Sequence, residues 1–272
     1  MPSIAFALIG HNEAHNLPRT LDSVRWADQV IYVDCESTDG SADVARRYTS
    51  HVLTRPNVPN LNLNKNAAIE QATADWVFLL DADEAIPPEL AEELRRTMAS
   101  GGPESAFRLP RRNFYFGRWV RHGGQYPDYQ TRLFRRGKAR FPARHLHERL
   151  EVDGTVGTLR QPFDHHTVDT PLTAIRKMNF NSSFNAVELV RAGRKPGPGI
   201  ALQYLLLKPA SRFVRRYVFK GGFLDGWPGL IVAAIDCMDF PFRLFKFWYW
   251  AEHPEALPDT RGASGVQPAG YR

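Results

Sequence analysis

An apolar run of five residues, Trp76 to Leu80, ends abruptly in the acidic tetrapeptide Asp81-Ala82-Asp83-Glu84. A short apolar run bounded in this way predicts a buried β-strand. Asp81 and Asp83 would then follow its carboxyl end, and Mg²⁺ and Mn²⁺ prefer such hard oxygen ligands while keeping positions open for substrate phosphates. A solvated acidic turn is the ordinary explanation of an isolated Asp-x-Asp, but the strand before it favours a metal site.

Strands and helices alternate along the first part of the chain. This alternation predicts an α/β fold with an open, mostly parallel sheet and helices on both faces. Ligands of such sheets bind beyond the carboxyl ends of the strands, where Asp34 and Asp81 are both expected. The other strands are predicted at Ile4–Ile9, Val30–Val33 and His51–Thr54, and the helices near Leu17–Val24, Val44–Tyr48, Asn64–Thr73 and from Pro88 onward.

The composition is that of a globular protein and argues against several classes. Hydrophobic residues make up 43% of the 272 residues, and the net charge of +6 favours anionic partners such as nucleotides, anionic lipid or nucleic acid. Neither a G-x-G-x-x-G nor a G-x-x-x-x-G-K-[ST] motif occurs, which disfavours a dehydrogenase or a P-loop NTPase. Cys35 and Cys237 suggest no disulfide or zinc motif, and we expect the N-terminal apolar run to be the first strand and not a signal peptide. We therefore expect a cytosolic protein.

Four segments carry a family resemblance. They are Asn12-Glu13, Val33-Asp34 with Ser37-Thr38-Asp39-Gly40-Ser41, Lys65-Asn66-Ala67-Ala68, and Leu80-Asp81-Ala82-Asp83-Glu84. In this order they resemble family 2 glycosyltransferases of the GT-A fold. The resemblance implies sugar transfer from a nucleotide-diphosphate donor, with Mg²⁺ or Mn²⁺ at Asp81 and Asp83. Donor-binding residues are expected at Asn12, Glu13, Asp34, Lys65, Asp81 and Arg132.

Two of these donor-site residues also have simpler interpretations. Asp34 could merely cap the turn after its strand, and Glu13 could be a first-turn helix charge. The sequence departs from the family pattern at Cys35-Glu36, where many relatives carry Asp-Gly or Ser-Gly. This departure leaves Asp34 as the one acid expected at the nucleotide base.

The resemblance extends into one branch of the family. Pro127–Arg136, His147-Glu148 and Gly222–Trp227 are similar to segments of the lipopolysaccharide core β-1,4-glucosyltransferases. That branch implies an inverting enzyme with UDP-glucose as donor. The implied acceptor is a heptose of the lipopolysaccharide inner core, or a related lipid-linked glycan.

An inverting transferase needs a base to take the proton of the acceptor hydroxyl. Glu148 is the first candidate, because relatives carry an acidic pair late in the catalytic domain. Its neighbour His147 would orient it or bind the metal. Asp128 is the alternative base, and a surface ion pair with a nearby arginine is the ordinary explanation of Glu148. We interpret His165-His166 as a structural strand end.

From Pro171 onward the sequence becomes helical and rich in aromatic residues. It has no uninterrupted apolar run of about 18 residues, so no spanning helix is predicted. Basic, aromatic-rich segments instead predict a peripheral protein at the cytoplasmic face of the inner membrane, with a packed helical subdomain as the alternative. Residues expected at the membrane surface are Arg212, Arg215, Arg216, Arg243, Lys246, Phe213, Tyr217, Phe242, Phe247, Trp248 and Trp250.

The chain is thus predicted to contain a catalytic domain at 1–170, a helical membrane-associating region at 171–253 and a disordered tail at 254–272. A non-catalytic glycan- or nucleotide-binding protein of the same fold is the alternative, and the intact Asp81, Asp83 and Glu148 argue against it. No nucleic-acid partner is expected, because the sequence has no recognised module. Its strand-end carboxylates would also repel phosphate without a metal.

Overall fold

The computed structural model describes residues 1–58, 60–143 and 148–258. The chain forms two compact units. Among the described residues, the first comprises Met1–Arg112 and Asp128–His165, and the second comprises Asn113–Pro127 and residues 166–258. Both units are discontinuous in sequence, and the division at residue 170 remains a prediction. His147 and residues 259–272 of the predicted tail lie outside the described residues.

Most strands join one mixed β-sheet. The strands are β1 (Ile4–Gly10), β2 (Gln29–Asp34), β3 (His51–Thr54), β4 (Trp76–Asp81), β5 (Glu84–Ala85), β6 (Ala106–Tyr115), β7 (Arg118–Trp119), β8 (Asp128–Arg135), β9 (Ala139–Arg140), β10 (Glu151–Val152), β11 (Val156–Thr158) and β12 (Phe163–Val168). The sheet order is β3-β2-β1-β4-β8-β6-β12-β5, with β7 and β11 beside β6. Separately, β9 pairs with β10.

The direction of the strands changes part-way across this sheet. β3, β2, β1 and β4 are parallel, as the sequence predicted, whereas β8 is antiparallel to both β4 and β6. The expectation of a mostly parallel sheet therefore holds only for the first four strands. Helices α1 (Leu17–Asp22), α2 (Ser41–Arg46) and α3 (Leu61–Glu70) connect those strands, and crossover connections of this kind produce parallel pairs. Along the described residues between α4 (Pro88–Ala99) and Pro171 no helix occurs, and most strands return antiparallel, although β11 is parallel to β6.

Alternate side chains of β1 enter two different cores. Phe6 and Leu8 pack in a cluster that includes Leu17 of α1 and Leu90 of α4. The side chains between them, such as Ala7, belong to a second cluster with residues of α3. Because successive side chains of a strand point to opposite faces, helices cover both faces of the sheet.

The second unit is mainly helical. Its helices are α5 (Pro171–Arg191), α6 (Pro198–Leu202), α7 (Lys208–Phe213) and α8 (Gly226–Glu252), with π-helical stretches at Gln203–Leu207 and Val214–Phe219 and 3₁₀ turns at Gly222–Asp225 and Pro254–Ala256. Ala186 of α5, Tyr204, and Phe240, Leu244 and Phe247 of α8 form its core cluster. Among the helices of the described residues, none is long and apolar enough to cross a membrane.

Several side chains expected at a membrane surface have other roles in this unit. Arg212 and Arg216 both contact Asp236, with N–O distances of 3.0 and 3.1 Å. Arg243 pairs with Asp239, one turn earlier in α8. These three arginines are thus partly exposed and paired with acidic residues of α8, and their place at a membrane surface stays a prediction.

Two further residues of α8 that were expected at a membrane surface also have other surroundings. Phe247 is fully buried in the core of the unit. The Lys246 ammonium group lies 2.7–2.8 Å from the carbonyl and side-chain oxygens of Asn179 and the hydroxyls of Ser182 and Ser183. Since three of the five basic positions face carboxylates and a fourth bonds to α5, Arg215 is the exposed one among them.

Candidate active site

The carboxyl ends of three neighbouring strands lie together in the first unit. The pairing of β1 with β2 sets Gly10 beside Asp34, and the pairing of β1 with β4 sets Ile9 beside Asp81. The two predicted aspartates therefore flank the end of β1. This is the position at which open α/β sheets bind ligands.

The loop after β1 is held to the loop after β2. Asn12 adopts a left-handed backbone conformation, with φ of 57°. Its side-chain oxygen accepts a hydrogen bond from the Thr38 amide at 2.7 Å, and its own amide donates to the Ser37 hydroxyl. The Glu13 amide donates to the Ser41 hydroxyl, while the Glu13 carboxylate accepts from Asn16. Asn12 and Glu13 thus position this loop.

Asp34 is a buried carboxylate at the end of β2. Its Oδ2 accepts a hydrogen bond from the Ser37 amide at 3.0 Å, as a turn-capping residue does. Its Oδ1 is buried and has no hydrogen-bond partner among the described residues. A buried acceptor of this kind is costly unless a donor reaches it, so the geometry also leaves room for a ligand-binding role.

Asp81 lies between two cations. Lys65 contacts its Oδ1 at 2.8 Å, and Arg132 contacts its Oδ2 at 2.7 Å. Burial acts to raise the pKa of Asp81, but the charges of Arg132 and Lys65 outweigh it and hold that pKa well below its usual range. Asp81 is therefore ionised, and it brings Lys65 of α3 and Arg132 of β8 to the end of β4.

Glu84 is a site residue that the sequence reasoning missed. Its side chain is fully buried, and its Oε1 accepts a hydrogen bond from Arg132 at 2.6 Å. Its Oε2 accepts from the backbone amide of Asp81 at 2.9 Å, and Arg111 lies 3.5 Å away. Burial raises the pKa of Glu84, although Arg132 opposes that shift. The sequence signal that could have identified Glu84 was its place in the acidic tetrapeptide Asp81–Glu84.

Asp83 lies beside a histidine that was interpreted as structural. The Nε2 of His165 is 3.3 Å from the Asp83 carboxylate. The contact arises because β5 pairs with β12, which sets Glu84 opposite His165. A carboxylate and an imidazole on two different strands therefore converge at this end of the sheet.

This pair fits a divalent ion that shares its ligands with a substrate. Among the described residues, no group of three or more His, Cys, Asp and Glu side chains is arranged to hold a metal. Mg²⁺ is usually bound through one or two carboxylates together with substrate phosphates and water. Asp83 suits that mode as the carboxylate ligand, and His165 adjoins it, whereas the oxygens of Asp81 are engaged by Lys65 and Arg132.

The two candidate bases have different surroundings. Asp128 accepts two hydrogen bonds from Arg111, at 2.6 and 2.9 Å, and one from Gln130 at 2.8 Å. Because Arg111 also approaches Glu84, Asp128 belongs to the same charged network. Glu148 is half-buried and directly follows a segment outside the described residues, which includes His147. The roles of Asp128, Glu148 and His147 stay predictions.

The chain matches a protein family over most of the first unit. The family model described as glycosyl transferase family 2 covers residues 7–167, more than half of the chain. The chain belongs to glycosyl transferase family 2. It is therefore a glycosyltransferase, and this confirms the family predicted from the sequence.

Relatives of similar length support this assignment. The chain is 28% identical to the lipopolysaccharide core biosynthesis glycosyltransferase LpsC of Rhizobium meliloti over 242 residues, covering 86% of this chain and 87% of the relative. It is 27% identical to an uncharacterized glycosyltransferase of Rickettsia bellii over 255 residues, covering 89% and 83%. A solved mannosyltransferase, PcManGT from Pyrobaculum calidifontis in complex with GDP-Man and Mn²⁺, is 14% identical with a TM-score of 0.50, covering 91% of this chain and 87% of that one. That likeness supports the predicted GT-A fold.

The buried network predicts that Glu84 is required for stability. Glu84→Gln keeps the shape of the side chain but removes a charge that faces Arg132 in a buried site. We expect a loss of about 3–5 kcal/mol in the free energy of unfolding, the range for breaking a buried pair. Urea denaturation measures it, with Glu92→Gln as the control at an exposed position of α4. Equal unfolding midpoints for the two variants would contradict this role.

Proposed function

We propose that this glycosyltransferase moves a hexose, glucose from UDP-glucose, onto a lipopolysaccharide core or related lipid-linked glycan. The observation that carries the proposal is the site at the end of β4. There a carboxylate–imidazole pair, Asp83 and His165, lies on the same acidic turn as Asp81, which contacts Lys65 and Arg132. Such a set suits a nucleotide diphosphate with its divalent cation.

The donor diphosphate would be held by cations on two elements. Lys65 and Arg132 both lie within 2.8 Å of the Asp81 carboxylate, which places their positive charges at this end of the sheet. Arginine binds phosphate oxygens through paired hydrogen bonds, while lysine acts as a point charge. A divalent ion at Asp83 and His165 would neutralise charge on the leaving diphosphate.

We assign to Asp34 the binding of the donor nucleobase. Its buried Oδ1 has unused acceptor capacity among the described residues, and an N–H group of the base would satisfy it. Asn12 and Glu13 hold the adjoining loop in place. This arrangement supports a uridine donor, whose ring carries such an N–H group.

Transfer itself needs a base that acts on the acceptor. The base takes the proton of the acceptor hydroxyl as that oxygen bonds to the anomeric carbon. The bond from that carbon to the diphosphate breaks, and its electron pair leaves with the nucleoside diphosphate. Attack opposite the leaving group inverts the anomeric configuration. Glu148 is the preferred base because relatives of the resembling branch carry an acidic pair late in the catalytic domain, and Asp128 is the alternative.

The acceptor and the location are inferred together. A relative that covers most of the chain is named for lipopolysaccharide core biosynthesis, which supports a glycan acceptor of that class. The second unit exposes many large apolar side chains, among them Phe219 at 81% and Trp227 at 76%. Apolar surface of this extent marks an interaction site. We assign it to the cytoplasmic face of the inner membrane, where a lipid-linked acceptor would be met.

The donor assignment is tested with a panel of nucleotide sugars. When UDP-glucose, UDP-galactose, UDP-N-acetylglucosamine and GDP-mannose are offered with core-oligosaccharide acceptors, mass detection should show hexose transfer from UDP-glucose.

The metal assignment predicts a loss of both binding and turnover. Asp83→Ala should abolish that product and weaken Mn²⁺-dependent UDP binding by at least about tenfold, since a charged ligand is worth more than 1.4 kcal/mol.

Asp153→Ala is the matched control for this variant, because Asp153 is an exposed aspartate paired with Lys138. It should keep full activity. Undiminished turnover of Asp83→Ala, or of the unaltered enzyme in EDTA, would exclude the metal role.

The base assignment predicts a purely kinetic defect. Glu148→Gln should lower kcat by roughly 10²–10⁴-fold, the range for a positioned base, with donor affinity nearly unchanged. Steady-state kinetics and UDP calorimetry measure the two effects, and Glu151→Gln at a nearby exposed position serves as control. If Asp128→Asn shows this pattern at an unchanged melting temperature and Glu148→Gln does not, Asp128 is the base.

The membrane assignment predicts that apolar side chains dominate vesicle binding. The double variant Phe219→Glu, Trp227→Glu should lose most co-sedimentation with anionic vesicles, because both rings would be buried in the interface. Arg215→Gln should have a smaller effect, about 1 kcal/mol for one basic residue. Val156→Glu, at an exposed apolar position of the first unit, is the control. Equal sedimentation of the double variant and the control would refute the assignment.

A further inference from the structure

A cavity of about 420 Å³ lies within the second unit. One side is a face of α5 that includes Lys177, Asn181 and Asn185, and another is a face of α8 that includes Asp239 and Arg243. Its volume is within the range of about 300–1,000 Å³ found for small-molecule sites. We call it the basic cavity.

Cations outnumber carboxylates around the basic cavity. Lys177, Arg212, Arg216 and Arg243 line it, and the carboxylates among its lining residues are Asp236 and Asp239. Asp236 is shared by Arg212 and Arg216, so one carboxylate serves two guanidinium groups. The surplus of positive charge would attract an oxyanion. Guanidinium groups match phosphate and carboxylate oxygens in geometry as well as charge.

Neutral polar groups complement these charges. Asn181 and Asn185 follow each other by one turn of α5, and Gln125 and Tyr115 also line the cavity. A carboxamide both donates and accepts hydrogen bonds, as a sugar hydroxyl does. Arginines alone would suit a bare phosphate, but the added amides suit a carbohydrate that carries an acidic group.

The helices that carry the arginines of the basic cavity are irregular near those residues. Arg216 lies in the π-helical stretch Val214–Phe219, directly after α7, which carries Arg212. Isolated π-helical turns are rare and occur frequently at functional sites. In α8, Pro241 lies between Asp239 and Arg243, and a proline inside a helix removes one backbone hydrogen bond. The π-helical stretch and Pro241 therefore both lie next to charged residues that line the basic cavity.

We propose that the basic cavity binds the acidic sugar of the acceptor, through the phosphate or carboxylate that this sugar bears. The inference rests on the proposed function, because it names the chemical class of the glycan to be extended. Arg216 and Arg243 bind the oxyanion, and Asn181 and Asn185 bind hydroxyls. The exposed apolar side chains of the same unit would accommodate the lipid end of such an acceptor.

Binding of small probes to the full-length enzyme tests this site. Calorimetry with glucose 6-phosphate, glucuronate and glucose should show binding of one or both acids and much weaker binding of the neutral sugar. Arg216→Gln should weaken the bound acid about tenfold, as loss of a charged hydrogen bond does. The matched control is Arg215→Gln, an exposed neighbour that does not line the cavity and should bind normally. Asn181→Ala is a second variant that leaves the ion pairs intact and should also weaken binding.

Further arms separate this site from the donor site and from lipid. Asp83→Ala should bind the acidic sugar normally, so a failure of the proposed catalytic function is distinguishable from a failure of the cavity. If phosphate-bearing and carboxylate-bearing sugars differ, the tighter one identifies the acidic group. The proposal is overturned if neither acid binds, if glucose binds equally well, or if Arg215→Gln and Arg216→Gln are equally weakened. It is also overturned if Arg216→Gln impairs only binding to anionic phospholipid vesicles, since the ligand would then be a lipid headgroup.

Discussion

The buried guanidinium group of Arg132 connects the parts of this site. It contacts Asp81 at the end of β4 and Glu84 in β5, while Asp81 also contacts Lys65 of α3. Burial acts to lower the pKa of Arg132, but the charges of Asp81 and Glu84 raise it above its usual value. The cation therefore persists in a site where an unpaired charge would be prohibitively costly.

The contacts of Arg132 explain what the antiparallel strand β8 adds to the parallel half of the sheet. The first four strands bring Asp34 and Asp81 together, but they supply no cation to the end of β4 from within the sheet. β8 pairs with β4 and carries Arg132, and β6 pairs with β8 and carries Arg111. The antiparallel addition thus provides positive charges to a site rich in carboxylates, as the proposed binding of a diphosphate would require.

Local patterns in the sequence were enough to predict the parallel half-sheet and its strand-end aspartates. The apolar run before Asp81 and the alternation of strands and helices are short-range signals, and the structure confirms both. His165 and Glu84 were not recognised, because their positions depend on the pairing of β5 with β12. That pairing joins segments about eighty residues apart in sequence, and no local periodicity encodes it. The antiparallel pairing of the later strands was not predicted for the same reason.

The second unit contains ion pairs that composition alone could not predict. Basic and aromatic residues alternate there, which suggested that both kinds face a membrane. The structure pairs three of these arginines with Asp236 and Asp239, beside a cavity. Leu206, Phe219 and Trp227 remain outside as exposed apolar surface. The unit thus has paired charges around a cavity and apolar side chains on its surface, the two environments that the proposed amphiphilic acceptor would need.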